Sequence, residues 1–118
     1  MTTQEPAAND NAEARLKRRA TMLEVNGRRV NEAIERGGRG GSAVFVCECG
    51  NLGCGDTIEL SIAAYESVRT DFDRFLVLPG HEIDAVDRVV ERHPAHLVVV
   101  KRGPEAKAVA RAADQRTP

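Results

Sequence analysis

The sequence contains no tryptophan, and its four aromatic residues are Phe45, Tyr65, Phe72 and Phe75, so the core has to be built from Val, Leu, Ile and Ala. A chain of 118 residues has room for one domain of ordinary size, which excludes a large multidomain enzyme. No apolar run exceeds the five residues from Ala43 to Cys47. That falls far short of the ~20 residues of a membrane-spanning helix or the roughly 7 to 15 of a signal-peptide core, and it implies a protein that stays in the cytosol. An excess of one charge is lacking too: 17 basic and 18 acidic side chains leave a net charge of −1, with no overall drive toward nucleic acid or an anionic membrane. The three cysteines are odd in number, and in the cytosol they read as reduced, metal-bound or redox-active thiols rather than as a stable disulfide.

Residues 1–13 hold no large apolar side chain beyond Met1 and cannot bury enough surface to offset the entropy of ordering, so they read as a disordered tail. From Ala14 to Arg36 the pattern becomes helical. Leu16, Leu23 and Val30 fall seven apart, and Ala20, Gly27 and Ile34 form a second row with the same spacing, the stripe of an amphipathic helix. Four glycines between Gly37 and Gly41 end that helix in a linker. Residues 42–103 are expected to form an α+β domain. Ala43 to Cys47, Asp56 to Leu60 and Arg74 to Leu78 read as strands, and Ser61 reads as the N-cap of a short helix running to about Thr70 with Ile62, Tyr65 and Phe72 facing inward. The spacing of Ile83, Val86 and Val90 favours a helix over Glu82 to Arg92, ended by His93-Pro94; a strand over Val86 to Arg92, paired with His96 to Lys101, is the competing reading. The Ala-rich end, 104–118, reads as a frayed helix or tail.

The chemistry is concentrated in Cys47-Glu48-Cys49-Gly50-Asn51-Leu52-Gly53-Cys54-Gly55, a C-x-C-G-x3-C arrangement at the tip of a predicted hairpin. Three thiolates held about 2.3 Å from one Zn²⁺ must lie within a few ångströms of each other, and the interleaved glycines let the backbone fold that tightly. Such a set leaves one tetrahedral position for a fourth donor. His81, in the rigid Pro79-Gly80-His81 turn, is the first choice; His93 and His96, Asp56 or a water are the alternatives. If Asp56 to Leu60 ran away from the cysteines with Arg74 to Leu78 parallel to it, His93 or His96 would be the nearer histidine. Glu48 and Glu82 are candidate bases that read more readily as solvated surface charges.

Residues 47–58, CECGNLGCGDTI, resemble the post-SET zinc motif that follows the catalytic core of SET-domain histone methyltransferases. In that motif a C-x-C-G-x3-C segment supplies three zinc ligands and the core supplies the fourth. The resemblance implies Cys47, Cys49 and Cys54 as ligands. It implies no methyltransferase activity, because the Asn-His-x-Cys stretch and the methyl-donor-binding glycines of those enzymes are missing here. The segment from Cys47 to about Lys101 also resembles a group of small bacterial proteins that share C-x-C-G, Pro-Gly-His and a Val-rich strand. That second likeness implies no activity.

A domain of about 60 residues is marginal without a staple, so a structural zinc site formed by Cys47, Cys49, Cys54 and His81 is the default expectation. The function expected is a non-enzymatic, zinc-binding interaction or regulatory module with a protein partner. No paired nucleophile and base, phosphate loop or cofactor fingerprint points to an enzyme. A thiol-based redox or metal sensor is the alternative. Nucleic-acid binding through the Arg-rich helix is a second alternative: residues 1–41 carry net +2 against −4 for 42–103. It is disfavoured because Glu13, Glu24, Glu32 and Glu35 are interspersed among the basic residues, which reads as a solvated helix face. The stripe of about two and a half heptads is too short to assign an oligomeric state.

Overall fold

The computed structural model describes residues 4–38 and 41–114, with side chains from Ala12 onward. It is an α+β fold. Helix α1 (Gln4–Gly37) leads into strand β1 (Ser42–Val46), which pairs antiparallel with β2 (Thr57–Ser61). Helix α2 (Ile62–Val68) follows, then β3 (Arg74–Val77), β4 (Asp87–Arg92), β5 (Leu97–Lys101) and helix α3 (Gly103–Ala112). Strands 3 to 5 form a second antiparallel sheet in the order β3-β5-β4. No helix among the described residues is long and apolar enough to cross a membrane.

Local signals explain most of these elements. Ser61 caps α2, its side chain accepting a hydrogen bond from the Ala64 N–H at 3.0 Å. Tyr65 and Val68 face inward one turn apart, and the Tyr65 ring stacks on Phe45 with centroids 4.5 Å apart. All five residues of β5 are buried, as its central place in a three-stranded sheet requires.

Four expectations change. Helix α1 begins at Gln4 rather than near Ala14 and so takes in most of the segment read as a disordered tail. Low apolar content argues against burial, not against helicity, and Pro6 falls in the first turn, where a missing N–H costs nothing. Residues 1–3, and Arg39 and Gly40 of the expected linker, lie outside the described residues. The segment 87–92 is a strand, not the end of a helix. Arg88 and Val89 pair with Val100 and Val99, and Glu91 with Val98, so β5 gives the segment cross-strand partners, and a bulge at Val90, between Val89 and Glu91, absorbs the irregular spacing that looked helical. Ile83 to Val86 contribute a turn, with Val86 N–H donating to the Ile83 carbonyl at 2.9 Å. Of the segment 104–118, read as a frayed helix or tail, the described part is a packed helix: α3 buries Ala106 and Ala110, and residues 115–118 lie outside the described residues.

The fourth change is the burial of α1. Its inward face carries Thr21, Glu24, Val25, Arg28, Asn31 and Glu32, each at most 3% exposed, while Leu16 and Val30 of the first apolar row are exposed. Thr21 bonds back to the Lys17 carbonyl of its own helix at 3.0 Å, and each of the other inward polar residues ties down a different element. Glu24 meets Lys101 at the end of β5, which also meets Asp87. Arg28 donates to the carbonyls of Phe72 (2.6 Å) and Ala110 (2.9 Å), closing the C-terminal end of α3, whose last carbonyls have no helical partner. Asn31 exchanges hydrogen bonds with the Val46 backbone, and Glu32 pairs with Arg69, which also holds Asp114 at 2.7 Å. Buried polar groups persist only when partnered, and here that partnering holds the helix to the domain.

Candidate metal centre

The loop between β1 and β2 carries all three cysteines. It folds back through Asn51-Leu52-Gly53-Cys54, closed by the Cys54 N–H donating to the Asn51 carbonyl at 3.2 Å, with Gly53 at φ +83° in the position of a type II turn that needs glycine. Pro79-Gly80 makes a matching turn after β3: the His81 N–H donates to the Leu78 carbonyl at 3.0 Å and Gly80 has φ +88°. The two turns face each other, and the Asn51 side-chain amide donates to the His81 carbonyl at 2.8 Å.

The result is one cluster. The Nδ1 atom of His81 lies 3.8 Å from Cys47 Sγ, 3.8 Å from Cys49 Sγ and 3.5 Å from Cys54 Sγ, and all four donor atoms fall within 4.8 Å of one another. A tetrahedral ion with bonds of ~2.3 Å to sulfur and ~2.0 Å to nitrogen has S···N edges of about 3.6 Å. The donors are therefore spaced to hold a metal ion. Behind them, Leu78 N–H donates to Cys47 Sγ at 3.2 Å, and Asp56 Oδ2 lies 3.7 Å from His81 Nε2, where a carboxylate helps keep Nδ1 turned toward the sulfurs. No protein-family model, curated protein or solved structure matches this chain.

The thiols differ in their readiness to ionise. Burial pushes Cys47 well up, and a neighbouring Cys49 thiolate raises it further; Cys54 is raised in the same way. Burial also acts against Cys49, but hydrogen bonds from the Asn51 backbone, His81, the Asn51 side chain and Cys54 outweigh it and bring the thiol down to about 7. One thiolate thus opposes the next. A divalent cation at the centre would supply the charge that lets all three ionise together.

His81 is therefore the histidine that the fold brings to the cysteines. His93 and His96 are not: they stack on each other at the β4–β5 turn, with centroids 4.3 Å apart, and His93 meets Glu91 at 2.9 Å. The arrangement that would have made His93 or His96 the nearer histidine does not occur, because β3 pairs with β5 in the second sheet instead of running beside β2. Its C-terminal end then emerges at the cysteine loop, where the Glu48 N–H donates to the Leu76 carbonyl at 2.7 Å.

Glu48 is not a surface charge. It is completely buried and accepts hydrogen bonds from Tyr65 OH (2.6 Å), the Asn31 side chain (2.9 Å) and the Leu76 N–H (2.8 Å). Burial raises its pKa, and those three donors work against the rise. Sequence reasoning had the signal for this, because neighbours in an extended segment point to opposite sides: if Cys47 and Cys49 turn toward an ion, Glu48 must turn into the core. Glu82 is half-buried, its carboxylate accepting from the Gly80 N–H at 2.8 Å, so it supports the histidine turn.

Proposed function

We propose that this chain is a small zinc-stabilised, non-enzymatic interaction or regulatory module in which Cys47, Cys49, Cys54 and His81 hold one Zn²⁺. The observation that carries the reading is the set of 3.5 to 3.8 Å distances from His81 Nδ1 to the three sulfurs. Four protein donors fill a tetrahedron and leave no position for water or substrate, the mark of a structural rather than a catalytic site. Thiolate-rich donor sets favour zinc over hard cations. The local likeness to the post-SET motif supports the same ligand scheme, three cysteines in C-x-C-G-x3-C and a fourth donor from elsewhere in the chain.

The test is elemental analysis of protein purified without added metal. About one zinc per chain, the stoichiometry of a single tetrahedral site, is expected in the wild type, with loss in His81→Ala and retention in His93→Ala and His96→Ala. Metal-free, folded wild-type protein with three titratable thiols would overturn the proposal. A second reading, a redox or metal sensor, is favoured by the low pKa of Cys49 and by the shallow cleft beside Leu23 and Val30 that reaches all three cysteines. Reversible zinc release by mild peroxide would favour the sensor; a site that resists it is structural.

A further inference from the structure

The sequence makes α1 look electrically mixed, and the fold separates its charges. Glu24 and Glu32 are buried against Lys101 and Arg69, and Glu35 is half-buried on the same inward side, three residues beyond Glu32. Glu13 lies 3.7 Å from Lys17. Among the described side chains of the helix, and apart from the buried Arg28, the remaining charges are Arg15, Arg18, Arg19, Arg29 and Arg36; all are exposed, and none forms an ion pair among the described residues.

At 3.6 residues per turn these five arginines fall within about 100° of arc that starts at the edge of the buried face, where Arg18 and Arg36 border Val25, and runs round the exposed side, along about 30 Å of helix. No acidic residue of α1 shares that arc; Met22 and Asn26 do. Glu105 of α3 flanks it beside Arg18, with Arg102 next to it. The exposure of all five side chains leaves the arginine row open to solvent.

We propose that this arginine face binds the phosphodiester backbone of a nucleic-acid duplex. Guanidinium groups pair with phosphate through two parallel hydrogen bonds, and a helix about 10–12 Å across fits the major groove of B-DNA, about 12 Å wide, whereas on an A-form RNA duplex, with its deep and narrow major groove, it meets only the phosphates at the surface. The arc carries no aromatic residue to stack on unpaired bases, which favours a duplex over a single strand, and binding is largely independent of base sequence. An anionic membrane fits less well. The apolar residues bordering the arc, Leu16, Leu23 and Val30, are each a full heptad apart and form no continuous face to bury in lipid. The inference is independent of the metal reading.

The experiment is fluorescence anisotropy of the full-length protein with labelled 20-base-pair DNA and RNA duplexes of arbitrary sequence, from 50 to 300 mM NaCl. Three to five phosphate contacts predict log K falling with log[salt] at a slope of about −3 to −4.5 on DNA. The triple variant Arg15→Gln/Arg19→Gln/Arg29→Gln should lose at least about tenfold at 50 mM salt and flatten that slope, while Arg88→Glu/Arg92→Glu, exposed on β4, should leave binding unchanged. The duplex bound more tightly identifies the nucleic acid, and equal affinity means that only the shared backbone is read. Absence of binding to either duplex at 50 mM salt overturns the proposal. So does a triple variant that binds as the wild type does, or tighter binding to an acidic peptide or to phosphatidylserine vesicles. Metal content read on the same samples separates the two readings: zinc-loaded protein that ignores both duplexes sinks this one alone, and zinc-free protein that binds them sinks the other.

Discussion

Glu24, Lys101 and Asp87 form a buried triad in which two carboxylates share one ammonium, and Glu24 Oε2 has no hydrogen-bond partner. Burial drives the Glu24 pKa well above its ordinary value; Lys101 pulls it down, and Asp87 pushes it up again. A carboxyl with a raised folded-state pKa binds its proton more tightly in the folded than in the unfolded chain, so its contribution to stability is present at low pH and is lost as pH rises through the folded-state value. The stability of wild type relative to Glu24→Gln should accordingly be greatest near pH 5 and shrink toward pH 8, read by urea unfolding of both proteins across that range. A difference independent of pH would show that Glu24 is ionised throughout. Glu48 is also fully enclosed, but it meets three neutral donors in place of a charged partner. Its position between Cys47 and Cys49 makes the metal loop and the core two sides of one extended segment.

Helix α1 is where pattern and packing part. Its heptad rows of Leu16, Leu23 and Val30 suggested an apolar seam, yet the buried face is the polar one, and the second row does something other than fill space. Ala20 and Gly27 let the cysteine loop approach the helix: a Cβ on Gly27 would lie 3.2 Å from Glu48 Cα, and one on Gly50 would lie 2.9 Å from the Ala20 carbonyl oxygen and 3.0 Å from Ile83 Cδ1. The obstructing atom at Gly50 is backbone and cannot step aside. Gly50→Ala should therefore cost about 1–3 kcal/mol, the usual range for overpacking. Gly55→Ala, with nothing within 4 Å and an ordinary φ, should stay within about 0.5 kcal/mol of wild type. Thermal unfolding of the metal-loaded proteins compares the two, and equal effects would mean that the loop does not sit against Ala20. The change at 82–92 has the same origin, since Val89 and its neighbours are compatible with helix or strand until the Val-rich β5 offers a partner, Val99 for Val89 and Val98 for Glu91.

The two sheets share no strand. The cysteines belong to the β1–β2 loop and His81 to the turn after β3, so an ion at their centre fastens one sheet to the other. Apparent binding free energies of structural zinc run to ~10 kcal/mol or more, comparable to the whole stability of a domain of this size. Chelation should therefore lower the unfolding temperature sharply. Amide hydrogen exchange should rise first in residues 42–61 and 78–81, while β3, β4 and β5, which α1 holds through Lys101 and Arg28, keep more of their protection. Exchange unchanged by chelation would mean that the ion is no part of the fold's support.

Three thiols within eight residues, separated by glycines, made the cysteine part of a candidate metal site legible from the sequence, because the requirement is local: short spacing and a tight turn suffice. The strands around it, the Ser61 cap and the Pro79-Gly80 turn were legible for the same reason. The identity of the fourth donor depends on which strand lies beside which, and the exclusion of His93 and His96 required the pairing of β3 with β5. The inward turn of Glu24, Arg28, Asn31 and Glu32 was equally hidden, since a helical period says which residues share a face but not which face is covered. Charged residues count as solvent-facing until partners such as Lys101 and Arg69 arrive from 37 and more residues away. Local chemistry is written in adjacent residues; burial and charge separation are decided only when distant segments meet.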